Sequence, residues 1–136
     1  MTSKKTFVID GVNFLTLEEF YDEIGRVLIP SATWGKNLDA FNDILRGGFG
    51  TPDEGFILIW KNSNLSRKKF GYAETIKQLE EALQNYHSSN RESLNQKIID
   101  AKEGRGETIF DWLIGIIKTH CPDGEESEDG IELILD

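Results

Sequence analysis

The stretch "FILIW", residues 56–60, is continuously apolar, with Gly55 before it and Lys61 and Asn62 after it. A short apolar run bounded by such residues is typical of a strand, and the lack of polar alternation is typical of a strand buried on both faces. Parallel sheets bury their strands in this way because helices cover both faces. The stretch therefore predicts one strand of a parallel sheet.

Working outward, two further strands are expected near the ends of the chain. They are "KTFVIDG" at residues 5–11 and "IELILD" at residues 131–136. Apolar spacing predicts helices over about 16–28, 37–46, 73–87, 91–104 and 107–120, the first with Thr16 and Glu19 as a capping box. Both connections between strands then contain helices, which favours parallel pairing. We expect an α/β fold, a small three-stranded parallel sheet packed with helices, in one domain over residues 1–136.

The charge of the chain is uneven. The formal net charge is −9, from 15 basic and 24 acidic residues. Residues 61–105 hold 9 basic and 6 acidic residues, so they carry +3 and the remainder carries −12. A negative field repels nucleic acid and anionic membranes and attracts basic partners. We expect neither a nucleic-acid nor a membrane partner.

The compartment is predicted from cysteine usage and hydropathy. The one cysteine, Cys121, excludes an internal disulfide and fits a reducing compartment. No signal-peptide pattern and no apolar run of about 18 residues is visible. We expect a soluble cytoplasmic protein, a monomer, with no cofactor.

Two aspartates, Asp39 and Asp43, are four residues apart on the second predicted helix, for which Asn37 is the expected N-cap. Residues at this spacing share a helix face, and like charges there destabilise a helix by about 0.2–0.5 kcal/mol. One interpretation is a solvated helix face. Another is a carboxylate pair serving an enzyme or a metal site. A third is a charged interface.

The neighbouring residues favour the interface. The expected contact set includes four residues before the acids, Thr33, Trp34, Gly35 and Asn37, and also Asn42, which lies beside the second acid. Aromatic residues are enriched in interface hot spots, although Trp34 suits the core equally well. Arg46, at the end of the helix, completes the expected contact set.

Other candidate sites have simpler explanations. The acidic loop at residues 123–129 lacks EF-hand spacing and is expected to be a solvated surface loop. His87, His120 and Cys121 do not form a zinc pattern, and the adjacent His120 and Cys121 lack the motifs of a nucleophilic enzyme. The loop with Gly47, Gly48 and Gly50 lacks the residues of a phosphate loop and is expected to be a flexible turn.

The segment "WGKNLDAFNDIL", residues 34–45, preceded by "FVIDG" and a capped helix and followed by "FILIW", resembles the barstar family. Members of this family are intracellular inhibitors of the ribonuclease barnase. The resemblance covers residues 5–61 and, more weakly, 107–135. It implies that residues 62–106 are a helical insertion typical of a longer subgroup.

The resemblance implies a function. The loop and second helix of such inhibitors enter the basic cleft of a secreted or toxin ribonuclease. It also assigns roles. Asp43 matches the acid that replaces a substrate phosphate, and Asp39 matches its companion. Thr33 and Trp34 match an aromatic pair in the loop, and Gly35 matches the glycine after it. The implied partner is therefore a basic ribonuclease, and the protein is not an enzyme.

Departures from the family pattern leave alternatives open. Thr33 stands in place of an aromatic residue, Asn42 in place of a tryptophan, and Lys36 where an acid can occur. The last helix has no clear match to the family's acid there. A ribonuclease other than barnase is therefore favoured. An immunity or regulatory module with a different partner, and a carboxylate-based enzyme, remain as alternatives.

Overall fold

The computed structural model describes residues 4–47, 50–52, 54–85 and 91–136. Within these ranges the chain forms three strands and six α-helices, with short 3-10 turns at Gly11–Asn13 and Ser127–Asp129. In chain order the elements are β1 (Lys5–Asp10), α1 (Leu17–Leu28), α2 (Leu38–Arg46), β2 (Phe56–Lys61), α3 (Ser63–Lys69), α4 (Tyr72–Asn85), α5 (Arg91–Lys102), α6 (Ile109–Thr119) and β3 (Glu132–Leu135).

The three strands form one parallel sheet in the order β1-β2-β3, with β2 in the centre. Leu58 of β2 is level with Phe7 on one side and Leu133 on the other. Each crossover runs through helices, as parallel pairing requires. The predicted α/β fold with a small three-stranded parallel sheet is therefore confirmed.

The two faces of the sheet differ in burial. Ile9, Leu58 and Trp60 are fully buried in one hydrophobic cluster with residues of α1, α2 and α6. On the other face Val8 and Ile134 are 42% and 48% exposed, and Ile59 between them is half-buried. The prediction that β2 is buried on both faces is wrong for this second face, because α1, α2 and α6 pack against the first.

Aromatic rings fill the space between the sheet and the helices. Phe20 of α1 stacks on Trp60 with ring centroids 5.4 Å apart, and Phe41 of α2 meets Phe20 edge-on at 5.4 Å. The indole N–H of Trp60 donates to Ser66 Oγ at 2.9 Å, so this buried donor is satisfied. Such aromatic pairs contribute about 0.5–1.5 kcal/mol each beyond their buried area. They hold α2 against a rigid base.

Helix α1 begins differently from the predicted capping box. Thr16 Oγ1 accepts from the Glu19 N–H as expected. The Glu19 carboxylate, however, accepts from the N–H of Leu15 and not from that of Thr16. Pro30 follows the C-cap residue Ile29, just beyond the end of the helix.

Farther along α1, Glu23 is a buried acid that ties the helix to the end of β1. Burial tends to raise its pKa, but hydrogen bonds from Asn13, Arg26 and the Asp10 N–H outweigh burial and hold the pKa below its usual value. The carboxylate therefore stays charged and stabilises the turn between β1 and α1.

Helices α3 to α5 occupy the region that the sequence describes as a helical insertion. The apolar spacing predicts no separate helix at α3, whereas α4 and α5 follow the predicted spans. Tyr86 and His87, at the end of the predicted span of α4, lie outside the described residues. Glu74 of α4 accepts from the N–H of Leu17 at 3.3 Å, which fixes α4 to the start of α1. The insertion itself stays a prediction. No described helix is long and apolar enough to cross a membrane.

Candidate partner-binding surface

Helix α2 presents one face to the core and the opposite face to solvent. Its inner face is formed by Phe41, Ile44 and Leu45, all buried. Asn37 is the N-cap, as predicted, and its Oδ1 accepts from the Ala40 N–H at 2.8 Å. The exposed side chain of Asn37 is thus already used in starting the helix.

Asp39 and Asp43 both lie on the exposed face of α2. Asp39 is in the first turn, where the helix dipole favours an acid, and Arg46 is in the last turn, where it favours a base. Asp43 Oδ1 accepts from Arg46 Nη1 at 3.1 Å. The two predicted acids therefore share one exposed face, and one of them has an internal counter-ion.

The loop before α2 is fastened to α1. Trp34 is half-buried and meets Tyr21 edge-on, with ring centroids 5.6 Å apart. Lys36 has a positive φ of 49° and its Nζ lies 3.0 Å from Asp22 Oδ1. Thr33 and Gly35 are exposed. Trp34 therefore packs at the edge of the core and positions the loop, with part of its surface open to solvent.

Asn42 points towards the interior. It is half-buried, and its Oδ1 lies 2.6 Å from Nε2 of His120, a residue with no exposed surface. On the other side of the ring, Nδ1 lies 2.6 Å from Asp129 Oδ2 and 3.6 Å from Glu126 Oε2. The amide group of Asn42 is therefore used to join α2 to the end of α6.

Both ring nitrogens of His120 have polar partners, the Asp129 carboxylate at Nδ1 and the Asn42 side-chain amide at Nε2. A buried polar ring is satisfied in this way. The buried His120 side chain therefore joins α2 to the acidic loop behind the exposed face of α2.

Arg46 links α2 to the acidic loop. Its Nε donates to both carboxylate oxygens of Glu126, at 2.9 and 3.1 Å, while Nη1 reaches Asp43. The hydrogen bond and charge of Glu126, followed by the smaller contribution of Asp43, raise the pKa of Arg46. The prediction that residues 123–129 form a solvated loop is therefore wrong for Glu126 and Asp129, which make side-chain contacts with Arg46 and His120.

Between α2 and this loop lies a groove of about 490 Å³. Its lining includes Leu38, Asp39, Asn42, Arg46, Glu125 and Glu126. The sequence analysis missed the contribution of His120, Glu126 and Asp129. The spacing of these three residues matches no motif, and their link to Asn42 spans 78 positions.

The same three side chains are the one potential metal-binding group in the described parts of the chain, with ligand atoms within 4.8 Å of one another. The 2.6 Å distance from Nδ1 to the Asp129 oxygen is that of a short hydrogen bond. Arg46 meanwhile holds Glu126 in an ion pair. Hydrogen bonds and this ion pair account for the cluster.

Cys121 lies beside a separate groove next to β3. Burial raises the pKa of its thiol, the opposite of the shift that activates a nucleophile. The thiol donates to the Ile117 carbonyl at 3.4 Å, and both ring nitrogens of the adjacent His120 have other partners. Cys121 and His120 are therefore not arranged as a catalytic pair.

Comparisons with known proteins agree with the geometry of α2 and its loop. A family model described as barstar (barnase inhibitor) matches residues 4–101. The match includes β1, α1, the candidate surface on α2, β2 and most of the middle helices. No curated protein matches the chain. The matched range covers more than half of the sequence, and the chain belongs to the barstar family.

Proposed function

We propose that this protein inhibits a basic ribonuclease by inserting α2 and the loop before it into the active-site cleft of that enzyme. The barstar family supports a barnase-type ribonuclease inhibitor in general terms. The observation that carries the proposal is the pair Asp39 and Asp43, exposed together on a helix whose other face is locked into an aromatic core.

The chemistry of the surface suits such a cleft. A ribonuclease binds phosphates with cationic side chains, and the same side chains form charge-assisted hydrogen bonds with a carboxylate. Asp43 is the proposed phosphate substitute and Asp39 its companion. Thr33 and Gly35 are exposed beside them, and Trp34 holds their loop in position.

Asn42 favours a ribonuclease other than barnase. The family pattern has a tryptophan at this position, and aromatic residues dominate many interface hot spots. Here the shorter Asn42 is hydrogen-bonded to His120. The area that Asn42 offers a partner beside Asp43 is therefore smaller than that of a tryptophan. Electrostatic attraction then supplies a larger share of the affinity for the ribonuclease.

A capture experiment tests the proposal. Wild-type protein and a D39A/D43A double variant are immobilised separately and exposed to lysate and medium of the source cells. A basic ribonuclease retained by the wild type alone, and inhibited by it in an RNA-cleavage assay, supports the proposal. Retention of a partner without nuclease activity favours the immunity or regulatory module instead. Equal retention by both proteins shows that α2 is not the binding surface.

A further inference from the structure

Asp43 shares its counter-ion with a second acid. Arg46 contacts Asp43 through Nη1 at 3.1 Å and Glu126 through Nε at 2.9 and 3.1 Å. The three side chains are 55%, 47% and 29% exposed in the order Asp43, Arg46, Glu126. One cation thus serves two carboxylates, one on the candidate binding face and one on the neighbouring loop.

The two contacts use different nitrogen atoms of the guanidinium. The Arg46 side chain can therefore release Asp43 and keep Glu126 without becoming unpaired. The reverse holds if Glu126 is lost, because Asp43 is then the remaining carboxylate within reach in the described structure. Glu126 determines which of these two states the arginine occupies.

Glu126 is held firmly enough for this role. Its backbone N–H donates to the Thr119 carbonyl at 2.8 Å, at the end of α6. Three residues later, Asp129 is anchored to the buried His120. The loop that carries Glu126 is therefore attached at two points to the same helix end that binds Asn42 of α2.

We infer that Arg46 competes with the cationic side chains of a partner for Asp43. When such a side chain replaces Arg46 beside Asp43, Glu126 keeps Arg46 paired. This inference rests on the proposed function and deepens it, since it names the residues that regulate access to the phosphate-mimicking acid. Arg46, expected from the sequence to contact the partner, acts instead by setting how much of the Asp43 charge the partner meets. Glu126 is a positioning residue that acts through Arg46.

The test is a double-mutant cycle in which the probe is the basic ribonuclease that the wild type retains in the capture experiment. Association rates are measured by stopped-flow fluorescence at low ionic strength for wild type, R46Q, E126Q and R46Q/E126Q. The matched control is E125Q, which removes the same charge from an exposed neighbour on the same loop. Thermal unfolding of each variant shows that it is folded.

Arg46→Gln should accelerate association, because it exposes the Asp43 charge. Glu126→Gln should slow association by about two- to fivefold more than Glu125→Gln, the size expected for one exposed ion pair. In the R46Q background this excess should vanish, because no arginine remains to move onto Asp43. This loss of the Glu126 effect supports the inference, since a simple change of net charge would act equally in both backgrounds.

Two outcomes contradict the inference in distinguishable ways. If E126Q and E125Q slow association equally, and their effects add to that of R46Q, Arg46 is not a competitor and the proposed function stands. If the wild type retains and inhibits no ribonuclease, the proposed function fails and the inference fails with it.

Discussion

Replacing Asp43 by alanine should separate binding from stability. Asp43 is 55% exposed, and its internal partner in the described structure is Arg46, itself 47% exposed. An exposed ion pair of this kind contributes about 0.2–1 kcal/mol at most. Asp43→Ala also relieves the repulsion from Asp39, about 0.2–0.5 kcal/mol, and improves helix propensity by a similar amount. The free energy of unfolding should therefore change by less than about 1 kcal/mol in either direction.

Binding should respond much more strongly. In the proposed complex Asp43 loses water and faces cationic groups in a closed cleft. Truncating one member of a desolvated charge pair costs about 2–5 kcal/mol, a range for which barnase and its inhibitor are themselves a reference case. This corresponds to a roughly 30- to 5,000-fold weaker inhibition constant. Most of the loss should be in the dissociation rate.

The assay compares inhibition of RNA cleavage with chemical unfolding for the same preparations. Glu80→Ala is the matched control, since Glu80 is an exposed acid on α4 with a 3.9 Å ion pair to Lys102 and its loss changes the net charge equally. The control should retain inhibition within about twofold at physiological salt, because surface charges beyond a Debye length are screened. The reasoning is refuted if D43A inhibits as well as E80A, or if D43A unfolds at a clearly lower denaturant concentration.

Three further predictions concern the scaffold beneath this surface. His120→Ala should lower the free energy of unfolding by about 1–3 kcal/mol, because it removes the buried hydrogen-bonding partner of Asp129 and Asn42, while the exposed Lys118→Ala should stay near zero in the same urea titration. Burial raises the pKa of Glu23, but its hydrogen bonds lower the pKa by more, so the folded value lies below the unfolded value of about 4.3. Glu23 should therefore contribute stability that is present above the unfolded pKa and is lost as pH falls through the folded pKa. Glu23→Gln should flatten this part of the acid unfolding profile, and an unchanged profile would contradict the assignment. Gly55→Ala should lower the free energy of unfolding by at least about 2 kcal/mol, because φ is 90° and a Cβ would lie 2.2 Å from the Gly130 carbonyl oxygen. A melting temperature equal to that of wild type would show that this turn adjusts without cost.

Local sequence patterns were sufficient for the elements around the site. The run at residues 56–60 identifies β2 because it is short, apolar and bounded by Gly55 and Lys61, and Asn37 identifies the start of α2 because a side-chain oxygen is needed there. The exposed positions of Asp39 and Asp43 follow from helical spacing once Phe41, Ile44 and Leu45 define the inner face. Each inference depends on neighbours within one or two turns.

The contacts behind the helix could not be derived in this way. Asn42 meets His120 across 78 positions, and Arg46 meets Glu126 across 80. Neither pair has a spacing that a local rule detects, and an acidic loop by itself is most often solvated. The burial of the second face of the sheet was also predicted wrongly, since the apolar sequence of a strand does not show whether helices cover one face of the sheet or both. That one domain spans residues 1–136 stays a prediction.

The surroundings of α2 explain how the free protein tolerates two aligned acids. Asp39 is stabilised by the dipole at the helix start, and Asp43 is paired with Arg46. These terms together exceed the repulsion of about 0.2–0.5 kcal/mol between the two aspartates. Helix α2 therefore needs no partner to stay folded. A preformed acidic face loses little conformational entropy on binding, so the attraction of a cationic cleft is available for affinity.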